Sequence, residues 1–301
     1  MGWRSVLISQ ASYLKLKDGA LVVEQPDGAV RVPLEDIAVL ILDCPQITLS
    51  GPLLSACADH QIAVITTGEN HHPNGIFLPY LPHSRALQIM HLQLDLKNPR
   101  RKRLWQTLAQ QKIRNQAAVL NSVNQLDMGR KLERLAAQVK SGDSTNMEAL
   151  AAQLYFPALL GRGFTRKQES RRNALLNYGY AIIRAALAKS LVSYGFVTAL
   201  GLHHHNEQNS FNLADDLIEP FRPLLDHYCL TFSTDEESET EGIERKDKVQ
   251  LISFLHKDIA TLDTNGEVTH RTVLAACEAI VVSLQQRLRD QEQGLHLPIF
   301  L

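Results

Sequence analysis

Apolar and polar positions divide the chain into two unlike parts. Up to about residue 80, apolar residues come in short β-branched runs: "SVLISQ", "SYLKLKDGALVVEQPDGAVRVPL", "IAVLILDC" and "QIAVITTGE". This pattern predicts strands, with Asp18-Gly19 and Asp27-Gly28 as tight hairpin turns. The run from Ile37 to Leu42 is apolar throughout, which predicts a strand covered on both faces. "GPLLSACADHQ" predicts a short helix packed on the sheet. "HHPNGIFLPYLPHS" carries three prolines and an Asn-Gly pair without helical periodicity, and reads as a linker with a boundary near Pro79 to Ser84.

Beyond the linker the period changes to that of helices. Apolar residues recur at or near i, i+3, i+4 and i+7 in Arg85 to Leu96, Pro99 to Asn124, Gly129 to Val139, Met147 to Leu160, Ser170 to Tyr194, Ala214 to Tyr228, Val249 to Ile259 and Arg271 to Gln293. The expected fold is α+β: a small N-terminal β domain over residues 1–80, then a larger all-helical domain over residues 81–301. A length of 301 residues suits two domains. The polar, acidic stretch from Thr231 to Lys246 is expected to be a solvated loop. No internal repeat is visible.

Composition narrows the class without naming a function. With 45% apolar and 21% charged residues, neither wholesale disorder nor a fibrous protein fits. No segment approaches the roughly 20 apolar residues needed to cross a bilayer, and "MGWRSVLISQ" lacks a secretory core. Cys44, Cys57, Cys229 and Cys277 are too scattered for a metal knuckle, and reduced thiols in a cytoplasm are expected. The net charge of −1 hides local asymmetry: "NPRRKRLWQ" and "GRGFTRKQESRRN" are basic, whereas "STDEESETEGIE" is acidic.

Four places could carry chemistry. Thr145 and Glu148 match a capping box, in which Glu148 would serve its own helix start; alternatively Glu148, in the first turn of a helix, is placed to hold a cation. In "GLHHHNEQNSFNLADDLIEPFRP", Asn212 is a candidate N-cap, and Asp216 and Glu219, like Asp215 and Glu219, fall on one helical face. These acids could simply favour the positive end of a helix. With His203, His204 and His205 nearby they also form a mixed nitrogen and oxygen set suited to Mn²⁺, Zn²⁺ or Mg²⁺. Arg162, Arg166, Lys167, Arg171 and Arg172 put five cations in eleven residues. They form either a solvated basic face or a phosphate-binding one. Arg100, Arg101, Lys102 and Arg103 open a helix, where positive charge is disfavoured, and with Arg114 make a second candidate phosphate surface. Together these residues suggest metal-dependent chemistry on phosphodiesters.

The pairing of "TNMEALAAQLYF" with "GLHHHNEQNSFNLADDLIEPFRP" resembles the CRISPR-associated integrases, the nuclease-integrases of spacer acquisition, in the style of their type II branch. The resemblance covers the whole chain, and it implies a β N-terminal domain, a linker and a helical catalytic domain. It also implies metal ligands at Glu148, at Glu219 of "DLIEPFRP", and at His204 of the Gly-x-x-His pattern from Gly201, with His203 and His205 one position away. Asp216 would support the site as a fourth catalytic residue. Further implied are Mg²⁺ or Mn²⁺, a homodimer, and a small CRISPR-associated partner dimer giving a four-plus-two complex. The implied substrate is double-stranded DNA: a prespacer whose 3′-hydroxyl attacks a phosphodiester of the repeat array in a transesterification. Arg162, Arg166, Arg171 and Arg172 would be DNA contacts by charge and position. Three other readings remain open from the residues: a stand-alone nuclease acting on branched DNA, a non-catalytic DNA-binding scaffold, and a Zn²⁺ hydrolase built on the histidines.

Overall fold

The structure, a computed structural model, describes residues 2–68, 73–80, 85–232, 243–290 and 292–301. The first elements are strands β1 (Arg4–Ile8), β2 (Ser12–Lys17), β3 (Ala20–Gln25), β4 (Gly28–Pro33), β5 (Ile37–Leu42) and β6 (Ile47–Leu49). Helix α1 (Gly51–Asp59), β7 (Ala63–Thr67) and β8 (Pro73–Phe77) complete this part. They form two four-stranded sheets, ordered β1-β5-β7-β8 and β4-β3-β2-β6. Asp18 and Gly19 both take positive φ between β2 and β3, the backbone a two-residue hairpin turn requires. The β5 strand is buried at every position, as its apolar run predicts. Val39 and Ile41 face a core shared with the helices. Leu40 and Leu42 face a second core lined by Leu14, Leu21 and Leu53.

The expected linker is partly strand. Pro73–Phe77 pairs antiparallel with β7, matching Ile65 to Ile76 and Val64 to Phe77. Its first-position Pro73 and the Asn-Gly pair suit an edge strand, where unsatisfied backbone positions are tolerated. The boundary at Pro79 to Ser84 lies partly outside the described residues.

The second part begins with α2 (Ala86–Leu94), α3 (Asn98–Ser122), α4 (Leu126–Gln138), α5 (Met147–Leu160) and α6 (Arg171–Ser193). It continues with α7 (Asn212–Leu217), α8 (Arg222–Cys229), α9 (Arg245–Ser253), strands β9 (Asp258–Leu262) and β10 (Val268–Thr272), helix α10 (Val273–Arg289) and β11 (Leu297–Ile299). An all-helical second domain is therefore incorrect, because β10-β9-β11 is an antiparallel sheet. Asp263 Oδ1 accepts from the amides of Asn265 and Glu267, which closes the β9–β10 turn between β-branched runs. The predicted helices Val249 to Ile259 and Arg271 to Gln293 thus each overran into a strand. Ala214 to Tyr228 is also not one helix: Pro220 and Pro223 accompany a 3₁₀ turn at Glu219–Phe221 between α7 and α8. Of the acidic stretch, 233–242 lie outside the described residues, and Arg245 and Lys246 already belong to α9.

The β layer is tied to the helices by buried polar contacts as well as by apolar packing. Lys248 Nζ on α9 donates to Asp43 Oδ2 after β5, at 2.7 Å and with both side chains at most 4% exposed. Thr67 Oγ1 donates to the other Asp43 oxygen at 2.9 Å. Removing one partner leaves an uncompensated buried charge, whereas replacing both removes the problem. Asp43→Asn is therefore expected to destabilise the fold by roughly 3–5 kcal/mol, with much of the loss recovered in the Asp43→Asn/Lys248→Met double variant. Urea midpoints of the variants test this; an unchanged midpoint for Asp43→Asn would contradict it.

Candidate active site

The site is organised along one face of α3. Trp105, Leu108, Lys112 and Asn115 are three, four and three residues apart, so they share a face, and all four are buried. Asn115 Nδ2 donates to the carbonyls of Pro220 (2.7 Å) and Pro298 (2.9 Å), and its Oδ1 accepts from Phe300 N and Gln111 Nε2. One amide thereby fixes the 3₁₀ turn carrying Glu219 and the C-terminal strand β11 against α3. One turn earlier, the Lys112 ammonium donates to Glu148 Oε1 and lies 2.5 Å from Glu219 Oε2. Arg222 Nε donates to Glu219 Oε1 at 2.8 Å.

Glu148 reaches this position because it is not needed as a cap. The Thr145 to Glu148 capping box does not form. Asp143 does the work instead, accepting from the amides of Met147 (2.8 Å) and Glu148 (3.0 Å) at the start of α5. The tight approach uses left-handed backbone at Gly142, Asp143 and Asn146. Glu148 is left to point its carboxylate at Lys112, with its side chain 24% exposed. Glu219 is nearly enclosed. Burial alone would lift its pKa, but the Arg222 guanidinium and the Lys112 ammonium outweigh that and pull it down to about 2. For Lys112, burial pushes the pKa down, but Glu219 and Glu148 reverse this and keep the amine charged.

The three histidines have three different surroundings. His203 stacks on Trp105 with ring centroids 4.1 Å apart, and removal from water lowers its pKa. His205 is exposed. His204 Nδ1 lies 2.7 Å from Asp216 Oδ1, and that hydrogen bond raises the imidazole pKa against the opposing effect of burial. With Nδ1 engaged, Nε2 is the nitrogen left for another partner, the arrangement in which a carboxylate orients a metal-binding imidazole. Asp216 is fully buried and also accepts from the amides of Leu202, His203 and His204, so it shapes the loop as well as the ring. Gly201 makes this possible, since a Cβ there would collide with the His204 carbonyl and crowd Asp216. Asp215, the neighbouring acid, is committed to Arg184.

As they stand, no three His, Cys, Asp or Glu side chains among the described residues converge closely enough to hold a metal ion. The expected trio of Glu148, His204 and Glu219 is instead two carboxylates closed around a lysine beside an oriented imidazole. A cation between the carboxylates is what the donor set calls for, and Lys112 supplies one. The residues fit a hard or borderline divalent ion once that ammonium yields its place.

The profile of the family described as CRISPR associated protein Cas1 matches residues 6–261. The chain belongs to the Cas1 family. It is 42% identical to the CRISPR-associated endonuclease Cas1 of Neisseria meningitidis serogroup C (strain 8013), over 100% of this chain and 97% of that protein. Its fold is that of a casposase bound to integration product (TM-score 0.77, 18% identity, covering 96% of this chain and 91% of the other). It is also that of part of a Cas6-RT-Cas1--Cas2 complex (TM-score 0.72, 19% identity, covering 96% of this chain and 35% of the other).

In this Cas1-family chain the arginines expected at DNA are largely committed to the fold. Arg166 donates to Asn173 Oδ1 and Asn177 Oδ1, each at 2.6 Å, and lies over the rings of Phe156 and Tyr180. Arg171 pairs with buried Asp247 at 2.7 Å, and Arg172 donates to the Cys229 carbonyl. Arg100 donates to the carbonyls of Arg287 and Leu288, closing the C-terminal end of α10. Arg162, Lys167, Lys102, Arg103 and Arg114 are exposed. No described helix is long and apolar enough to cross a membrane.

Lys112, Asp143 and Asn115 were not singled out from sequence. For Lys112 and Asn115 the signal is present in α3, where they interrupt an apolar stripe that Trp105 and Leu108 begin. Behind Arg222 lies a further group: Tyr180 donates to buried Asp226, and Arg222 lies 4.5 Å from the centre of the Tyr180 ring. Burial lifts Asp226 from 3.8 to about 6, outweighing the hydrogen bond from Tyr180 and the nearby Arg166. A carboxyl whose folded pKa is raised binds its proton more tightly in the folded state, so stability falls as pH rises from about 4 to 6. Asp226→Asn should therefore match wild type near pH 4 and be more stable by roughly 2–3 kcal/mol at pH 7.5. Denaturant unfolding at both pH values decides it, and a variant less stable than wild type at pH 7.5 would count against it.

Proposed function

We propose that this chain is a metal-dependent DNA integrase and endonuclease of CRISPR adaptation, joining a prespacer 3′-hydroxyl to a phosphodiester of the repeat array. The observation that carries the reading is the convergence of Glu148 and Glu219 on one cationic position, with His204 oriented by Asp216 beside them. Glu148, Glu219 and His204 would hold Mg²⁺ or Mn²⁺. Such an ion supplies charge neutralisation at the phosphoryl group and at the attacking and leaving oxygens.

The reaction asks little else of the protein. The incoming 3′-oxygen forms a bond to phosphorus, the bond to the displaced oxygen breaks, and the hydroxyl proton ends on that displaced oxygen. No enzyme nucleophile is needed, so alignment and electrostatics dominate. Arg222 keeps Glu219 ionised and fixed, Asp216 holds the imidazole through Nδ1, and Asp143 aims the start of α5. Exposed Arg162 and Lys167 are placed to meet a phosphate backbone. A casposase bound to integration product and a Cas6-RT-Cas1--Cas2 complex, which share this fold, support DNA and Cas2 as the kinds of partner. The assembly in this reading is two homodimers of this chain with one small partner dimer, a four-plus-two complex in the cytoplasm.

The test mixes supercoiled plasmid bearing a leader and one repeat with end-labelled prespacer duplex, the partner protein and Mn²⁺. Label should enter the plasmid with wild-type protein and free 3′-hydroxyls. Glu148→Ala and Glu219→Ala should each lower joining by about 10²–10³-fold, the usual loss when a transition-state charge contact is removed. Nicking without joining would point to a stand-alone nuclease. Joining by both variants at the wild-type rate would exclude these carboxylates from the site.

A further inference from the structure

We propose that Lys112 is a resident counter-ion: its ammonium holds the Glu148 and Glu219 carboxylates together in the metal-free chain, and a divalent cation must displace it. The inference rests on the metal-dependent reading above and adds a residue that competes with the metal for the same oxygens.

Three observations support competition. Glu219 has two oxygens, one held by Arg222 Nε and the other by Lys112 Nζ, so a metal reaching either oxygen meets a cation already there. Arg222 is anchored elsewhere as well, against the Tyr180 ring, whereas the Lys112 ammonium pairs with the two glutamates. Lysine is also the easier to move, with a point charge on a flexible four-carbon stem against the planar fork of arginine.

Charge balance points the same way. Glu148 and Glu219 carry two negative charges, and Lys112 and Arg222 two positive ones, so this cluster is already neutral. Even with the buried Asp216 carboxylate behind His204 counted, adding a divalent ion with Lys112 in place would set four positive charges against three negative ones in a largely buried site, an arrangement with an electrostatic cost. Departure of the ammonium lowers that excess. Glu148 is the more exposed of the two carboxylates and marks the side on which the lysine can leave.

Mn²⁺ binding to the full-length protein, followed by electron paramagnetic resonance and calorimetry, tests this in wild type, Lys112→Met, Lys112→Arg, Glu148→Ala and Glu219→Ala. Lys112→Met should bind Mn²⁺ more tightly by roughly 5- to 150-fold, the range typical of coupling between linked sites, and Lys112→Arg no more tightly than wild type. In wild-type protein, amine-reactive labelling of Lys112, read by mass spectrometry, should rise on adding Mn²⁺ while labelling of distant Lys15 stays constant. If Lys112→Met fails to fold, the labelling decides alone, and unchanged Lys112 labelling overturns the inference. Equal or weaker Mn²⁺ binding by folded Lys112→Met also overturns it; if the two alanine variants lose Mn²⁺ meanwhile, the metal reading itself survives. Mn²⁺ binding retained at wild-type strength by both alanine variants would overturn both.

Discussion

Everything at this site depends on a chain of alternating charges, Glu148, Lys112, Glu219 and Arg222, buried at its centre and half-buried at its ends, assembled from α5, α3, the 3₁₀ turn and α8. No member could be buried alone, since an isolated charge in such surroundings would cost several kcal/mol. Each therefore depends on the others being docked. Asn115, one turn along α3 from Lys112, adds direction by binding the carbonyls of Pro220 and Pro298. Apolar packing could hold these elements in several registers; the charge chain and the amide admit one.

Two aspartates repeat a single device. Asp143 accepts two backbone amides and so frees Glu148 from capping; Asp216 accepts three and so fixes the loop that carries His204. In each case a carboxylate is spent on the backbone amides at a candidate ligand, five positions from Glu148 for Asp143 and twelve from His204 for Asp216, and the ligand is aimed as a result. This division of labour explains why an acid-rich region yields few side chains available to a cation. Asp215 is taken by Arg184, and Asp216 by amides and an imidazole.

The strands of the first part and the long α3 and α6 helices were legible in the sequence, because strong periodicity carries that information locally. Glu148, His204 and Glu219 were singled out through the resemblance that "DLIEPFRP" and "GLHHH" carry, and what the structure adds is the lysine between the two carboxylates. The sheet of β9 to β11 was not legible, because its β-branched runs border helical patterns and β11 is only three residues long. Lys112 was missed for a different reason. A lone lysine in a helix reads as solvent-facing until its stripe is followed from Trp105 through Leu108 to Asn115, and its partners lie 36 and 107 positions away. The capping box at Thr145 failed because Asp143, two residues earlier, offers a charged acceptor that competes for the same amides.

A count of arginines overstates what a phosphate backbone would meet. Of the basic cluster from Arg162 to Arg172, Arg166, Arg171 and Arg172 already have acceptors within the fold, and Arg100 serves the end of α10. That last contact also explains how positive charge is tolerated at the start of α3, since the same guanidinium meets the negative end of another helix. Within the two basic clusters, the groups left at the surface are Arg162 and Lys167 in the loop after α5, and Lys102, Arg103 and Arg114 on α3. Both elements also contribute to the carboxylate site, α5 through Glu148 and α3 through Lys112. A polyanion attracted to these groups would approach α3 and the end of α5 in spite of the net charge of −1, because local charge and not the sum sets the field it meets.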